Sequence, residues 1–188
     1  MADDLIKILI DKGLLSIMLL IAGYWVSKYL EINKQTNELR NKLKENNREK
    51  ILNAIEKQLS LFYYPIYFRL QKDNALWELS PRLSDDPNSL PIDTNDIIES
   101  EYILKNHREI VSVIENNIHF VEVDEELQLT INAYLKHIAV YETIRKIDAL
   151  KSYNPIDFNA PYPELFENVI KARMTKLQQK NNDLLQQV

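Results

Sequence analysis

Between Gly13 and Ser27 the chain carries fifteen residues without a charge, and Leu14, Leu15, Ile17, Met18, Leu19, Leu20, Ile21 and Val26 make the run strongly apolar. As a helix it spans ~22 Å, short of a hydrocarbon core of ~30 Å. Extension to roughly Ile8–Tyr29 closes the gap and brings in Asp11, Lys12 and Lys28. Lys7 and Asp11 stand four apart on one face and partly neutralise each other, while Lys12 and Lys28 reach toward opposite headgroup layers. Tyr24, Trp25 and Tyr29 cluster at one end, where such rings favour the interface. The expectation is a single membrane span. A buried core helix of this length shows a polar face, which this run lacks. A signal peptide wants a basic start and a small-residue cleavage site, against Asp3-Asp4 and Ala22-Gly23-Tyr24-Trp25 here. An interfacial or re-entrant helix is the remaining alternative.

Basic residues set the orientation. Only Lys7 and Lys12 precede the run, whereas Lys28, Lys34, Arg40, Lys42, Lys44, Arg48 and Lys50 follow it. The positive-inside rule places the N-terminus outside and the C-terminal part in the cytoplasm. Gly13, Ser16, Leu20, Gly23 and Ser27 recur at spacings of 3 and 4 and share one face. Lipid gives helices no hydrophobic drive to associate, so small and hydroxyl residues favour close approach. This face is either incidental in a lone anchor or a self-association face that lines a narrow pore. In the second case Asp11 and Lys12 form charged rings at its mouth.

The rest of the chain reads as all-α. The only two glycines, Gly13 and Gly23, lie in the apolar run, which disfavours hairpins and phosphate-cradling loops after it. No cysteine is present, so disulfides and thiolate metal sites are excluded. A net charge of −5 argues against coating by nucleic acid. Residues 1–30 form the membrane segment and 31–50 a polar helical stalk. There a thin stripe of Ile32, Thr36, Leu39 and Leu43 suggests a weak parallel coiled coil. A cytosolic antiparallel helical bundle follows over 51–180, with a frayed tail at 181–188. Within the bundle, Ile55, Leu59 and Phe62 start a core face, and Pro65 predicts a kink or restart amid Phe62, Tyr63, Tyr64, Tyr67, Phe68 and Trp77. Pro81, Pro87 and Pro91 mark a loop over residues 80–95, of the kind that often faces a partner. Asn106 and Glu109 resemble a capping box, and Asp124 caps a helix running to about Leu150. Ile110, Val113, Ile114 and Ile118 mark the buried side of one helix; Leu127, Ile131, Tyr134, Ile138 and Tyr141 mark that of the next. A break at Val121–Asp124 makes the two an antiparallel hairpin. Pro155, Pro161 and Pro163 stiffen a connector, and the last helix begins at Glu164.

Catalytic patterns are absent from the sequence. His107, His119 and His137 lack metal-ligand spacing, and no nucleophile elbow or P-loop occurs. No enzyme activity and no cofactor are expected. Counting back from the hairpin turn sets His107 and Arg108 level with Lys136 and His137, with Tyr141 and Arg145 on the same face as His137. These six residues form a candidate basic and aromatic surface for a phosphate-bearing ligand. The bland reading is a mixed-charge face in which Glu109 and Glu142 pair with the cations.

Leu61-Phe62-Tyr63-Tyr64-Pro65-Ile66-Tyr67, the later His137, Tyr141 and Arg145, and the order of span, stalk and helical domain carry a resemblance. The chain resembles small single-span bacterial membrane effectors of antiphage systems, such as the channel subunits of Hailong-type defence. That resemblance implies a homo-oligomer in the inner membrane, taken as a tetramer, that depolarises the membrane when a nucleotide or short nucleic-acid signal changes. The rival expectation is a membrane-anchored scaffold that recruits a cytosolic partner protein and conducts nothing.

Overall fold

The computed structural model describes residues 2–79 and 94–186, with side chains from Lys12 onward apart from Leu14 and Asn95. The chain divides into two units, Met1–Lys50 and Ile51–Val188.

The first unit is helical from Ala2 and belongs to helix α1 (Ala2–Gln58). No proline interrupts it, and isolated glycines such as Gly13 and Gly23 cost a helix only ~1 kcal/mol each. The helix contains one stretch long and apolar enough, by length and composition, to cross a membrane, and none of that stretch is buried.

The second unit is built on a core that begins at Ile55 and Leu59. Immediately before Pro65 the helix widens into a π turn, Leu59–Tyr63, in which the Tyr64 N–H donates to the Leu59 carbonyl. Pro65 has no N–H to donate and its ring crowds the carbonyl four residues back. The wider turn accommodates that crowding, so the chain continues as α2 (Tyr64–Leu79). The expected kink or restart is therefore a π turn inside a continuous helical path. Residues 80–93, most of the expected loop, lie outside the described residues. Helix α3 (Asn95–Ile97) passes through a second π turn, Ile98–Ile103, into α4 (Leu104–Asn117). After a 3-10 turn at Ile118–Phe120 comes α5 (Glu125–Lys146), whose N-cap Asp124 accepts the Leu127 N–H at 2.9 Å. Further 3-10 turns at Asp148–Leu150 and Pro155–Phe158 lead to α6 (Leu165–Gln186).

Helix α2 packs on α4 and α6, and α5 packs on the same two helices. Phe62, Ile66, Ile110, Leu127, Tyr134, Phe166 and Ile170 are shielded from solvent at the centre. Arg173 of α6 clamps the start of α5 by donating to Asp124 and Glu126.

Three expectations change. Asn106 caps nothing: the helix is already under way through the π turn before it, and its buried amide donates across to α2 instead. Helix α5 stops at Lys146 rather than Leu150, because Ile147 turns extended (φ −103°, ψ 112°) and a 3-10 turn takes over. The tail from 181 stays helical to Gln186, where Leu184 packs against the core and Gln179 bonds Asp183.

Candidate ligand site and the long helix

The six residues expected to form a basic surface do not form one. His107 is 1% exposed and lies in the core. Its Nδ1 stands 2.7 Å from the Tyr134 hydroxyl and 3.4 Å from Asp73 Oδ2. Asp73 Oδ1 accepts the Asn106 amide at 2.7 Å, while Asp73 Oδ2 and His107 Nε2 lack hydrogen-bond partners. Burial pushes the Asp73 carboxyl up to about 7 against the Asn106 bond that lowers it, and pushes His107 down to about 3. Burial therefore favours the uncharged form of both groups, and the contact between His107 Nδ1 and the Tyr134 hydroxyl is a hydrogen bond whose direction follows the His107 tautomer.

Tyr141 is buried as well, as its place in the expected core stripe required, and its hydroxyl donates to Glu99 Oε1. The same oxygen accepts Arg145 Nε at 2.8 Å, and the guanidinium lies 5.1 Å over the Tyr141 ring. Arg145 Nη1 also donates to the carbonyls of Lys151 and Tyr153. Arg108 pairs with Glu142 at 2.7 Å, and Lys136 donates to the Asn159 carbonyl at 2.6 Å. His137 Nδ1 meets the Ala160 carbonyl at 2.8 Å. A carbonyl only accepts, so Nδ1 carries the proton and Nε2 is bare; burial lowers the ring's pKa and keeps it neutral. The hairpin register was anticipated closely, since His107 meets Tyr134 and Tyr141 across it. The face so aligned points inward, and the cations around it are occupied.

His137 and Arg145 do converge on a cavity of about 1210 Å³, whose walls include Trp77, Glu99, Tyr162 and Glu164. Those four, together with Asp73, were not anticipated. Glu99 and Asp73 looked like ordinary surface carboxylates on polar stretches, and only the three-dimensional packing buries them. Trp77 and Tyr162 carried a weak signal as aromatics beside proline-rich segments. Among the described residues no group of three candidate metal ligands occurs.

On α1, from Leu15 to Leu30 every side chain is exposed. A Cβ added at Gly13 or Gly23 meets nothing within 4 Å, so no contact within the chain requires glycine at either place. Ser16 satisfies its hydroxyl on the Lys12 carbonyl at 2.8 Å. The Asp11 side chain lies outside the described residues. At 3.6 residues per turn, Gly13, Ser16, Leu20, Gly23 and Ser27 share one face, and the Ile32, Thr36, Leu39 and Leu43 stripe is rotated from it by about 150°. Both cannot face the axis of one symmetric parallel assembly. Glu31, Glu38, Glu45 and Glu49, spaced by seven, seven and four, fall within about 40° of the centre of the small-residue face. That alignment is legible in the sequence alone.

Comparison with family models, curated proteins and solved structures returns no significant match.

Proposed function

We propose that the chain is a single-pass inner-membrane effector of the antiphage type, with its N-terminus outside and a helical bundle in the cytoplasm. Copies associate through the Gly13, Ser16, Leu20, Gly23 and Ser27 face and form a narrow pore. A ligand taken up by the helical domain changes the packing of these helices and opens or closes it. The observation that carries this reading is the apolar stretch of α1, of which none is buried. Such a surface needs a lipid or protein environment. The open space around Gly13 and Gly23 supports close helix–helix approach.

The test is conductance of purified full-length chain in planar bilayers, alone and with candidate signals, alongside its mass in detergent. A strictly monomeric species, or silence under every condition, overturns the pore. The second reading is a membrane-anchored scaffold recruiting a cytosolic partner. It is favoured by the exposure of Ile32, Leu39 and Leu43 on the opposite face. An oligomer that binds lipid yet never conducts would establish it.

A further inference from the structure

The cavity beside α5 has an electrostatic character that its residue composition conceals. Its cations are already engaged. Arg145 holds Glu99 and two backbone carbonyls, and Lys151 holds Asp148 at 2.7 Å. Its acceptors are differently placed. His137 is 6% exposed and lines the cavity, with its Nδ1 proton committed to Ala160, so the polar atom it offers is the lone pair of Nε2. Glu164 brings a carboxylate to the same wall. Trp77 and Tyr162 bring aromatic rings, and the Tyr162 ring meets His137 edge-on at 5.3 Å. Among the described residues that line it, an anion entering here finds no cation free of a carboxylate or carbonyl. A cation with N–H donors finds a carboxylate, a buried imidazole acceptor and π faces, the combination that recognises organic ammonium groups.

We propose that the cavity bounded by Trp77, His137, Tyr162 and Glu164 binds a small organic cation carrying N–H donors, a primary or secondary amine of the polyamine class. The volume accommodates an extended chain with more than one ammonium. One ammonium bonds Glu164 and stacks on the rings; a second N–H donates to His137 Nε2. This names the ligand class for the domain in the proposed function and rests on that reading only for the consequence of binding, not for binding itself.

The experiment is isothermal titration of full-length chain in detergent with spermidine, with tetramethylammonium (a cation without N–H donors) and with ATP. Spermidine is expected to bind saturably, with tetramethylammonium at least about tenfold weaker. Glu164→Gln and Trp77→Leu should each weaken spermidine about fivefold or more, while Glu115→Gln, an exposed carboxylate on another helix, leaves it unchanged. The chain's net charge of −5 attracts polyamines generally, which is why the Glu115 control is required. Equal weakening by all three variants, no saturable binding, or ATP competing for the same site overturns the proposal. Conductance is not read, so a failed titration leaves the pore standing, and a silent bilayer leaves the amine site standing.

Discussion

Asp73 and His107 make a buried pair whose two pKa shifts oppose each other, and the balance gives the protein's stability a particular pH profile. In the unfolded chain the groups titrate at their ordinary 3.8 and 6.5; folded, they move to about 7 and about 3. Between pH ~4 and ~6.5 the folded state holds one more proton on Asp73 and one fewer on His107 than the unfolded chain, so their pH slopes cancel. Above ~6.5 only Asp73 differs, and its contribution falls as pH rises toward 7. Below ~4 only His107 differs, and its contribution falls as pH drops toward 3. Asp73→Asn keeps the acceptor for Asn106 and removes the ionising group. The expected result is a melting temperature that climbs from pH 4 to 6.5 in the variant and then levels, against a plateau over that range in the wild type. Thermal unfolding followed by circular dichroism across pH 4–8 checks this. Superimposable profiles would mean that Asp73 is already charged in the fold.

At the scale of elements, Asn106 shows how far local patterns carry. A polar residue three before a glutamate reads as a cap because that spacing is the local signature of a helix start. The π turn at Ile98–Ile103 instead carries helix through the stretch before it, and π turns leave no simple 3.6-residue signature in a sequence. Pro65 was legible as a disturbance, but the wider turn that absorbs it was not. The α4–α5 hairpin, its break and the Asp124 cap were all readable, because hydrophobic periodicity and N-cap chemistry are local. The direction in which the histidines point was not, since that depends on a third and fourth helix. Asn106 now bridges α2 and α4 by donating to the Arg69 carbonyl and to Asp73. Asn106→Ala removes the donor from both and leaves the buried Asp73 Oδ1 without its partner, and should cost about 1–3 kcal/mol in denaturant unfolding. Asn116→Ala, on the exposed side of the same helix, should stay within about 0.5 kcal/mol.

At the scale of the molecule, the two faces of α1 make the assembly question decidable. Absence of cysteine means that single cysteines report cleanly on proximity. With the small-residue face at the axis, Gly23→Cys should cross-link between copies and Leu39→Cys should not. The reverse pattern would make the stalk stripe the contact and turn Gly13 and Gly23 outward. In the first arrangement Glu31, Glu38, Glu45 and Glu49 follow the same axis and should make the conductance favour cations. Replacing all four with glutamine should shift the reversal potential in a salt gradient toward zero, with the oligomer's mass unchanged.

The uncovered apolar stretch of α1 precedes every helix of the second unit in chain order. During synthesis it leaves the ribosome before the core that begins at Ile55 has any partner to fold with. On the proposed reading, delivery to the bilayer is therefore a co-translational event, and the helical domain folds while already tethered. Each new chain then searches for its neighbours in two dimensions, from a membrane that concentrates them, before its own ligand site exists.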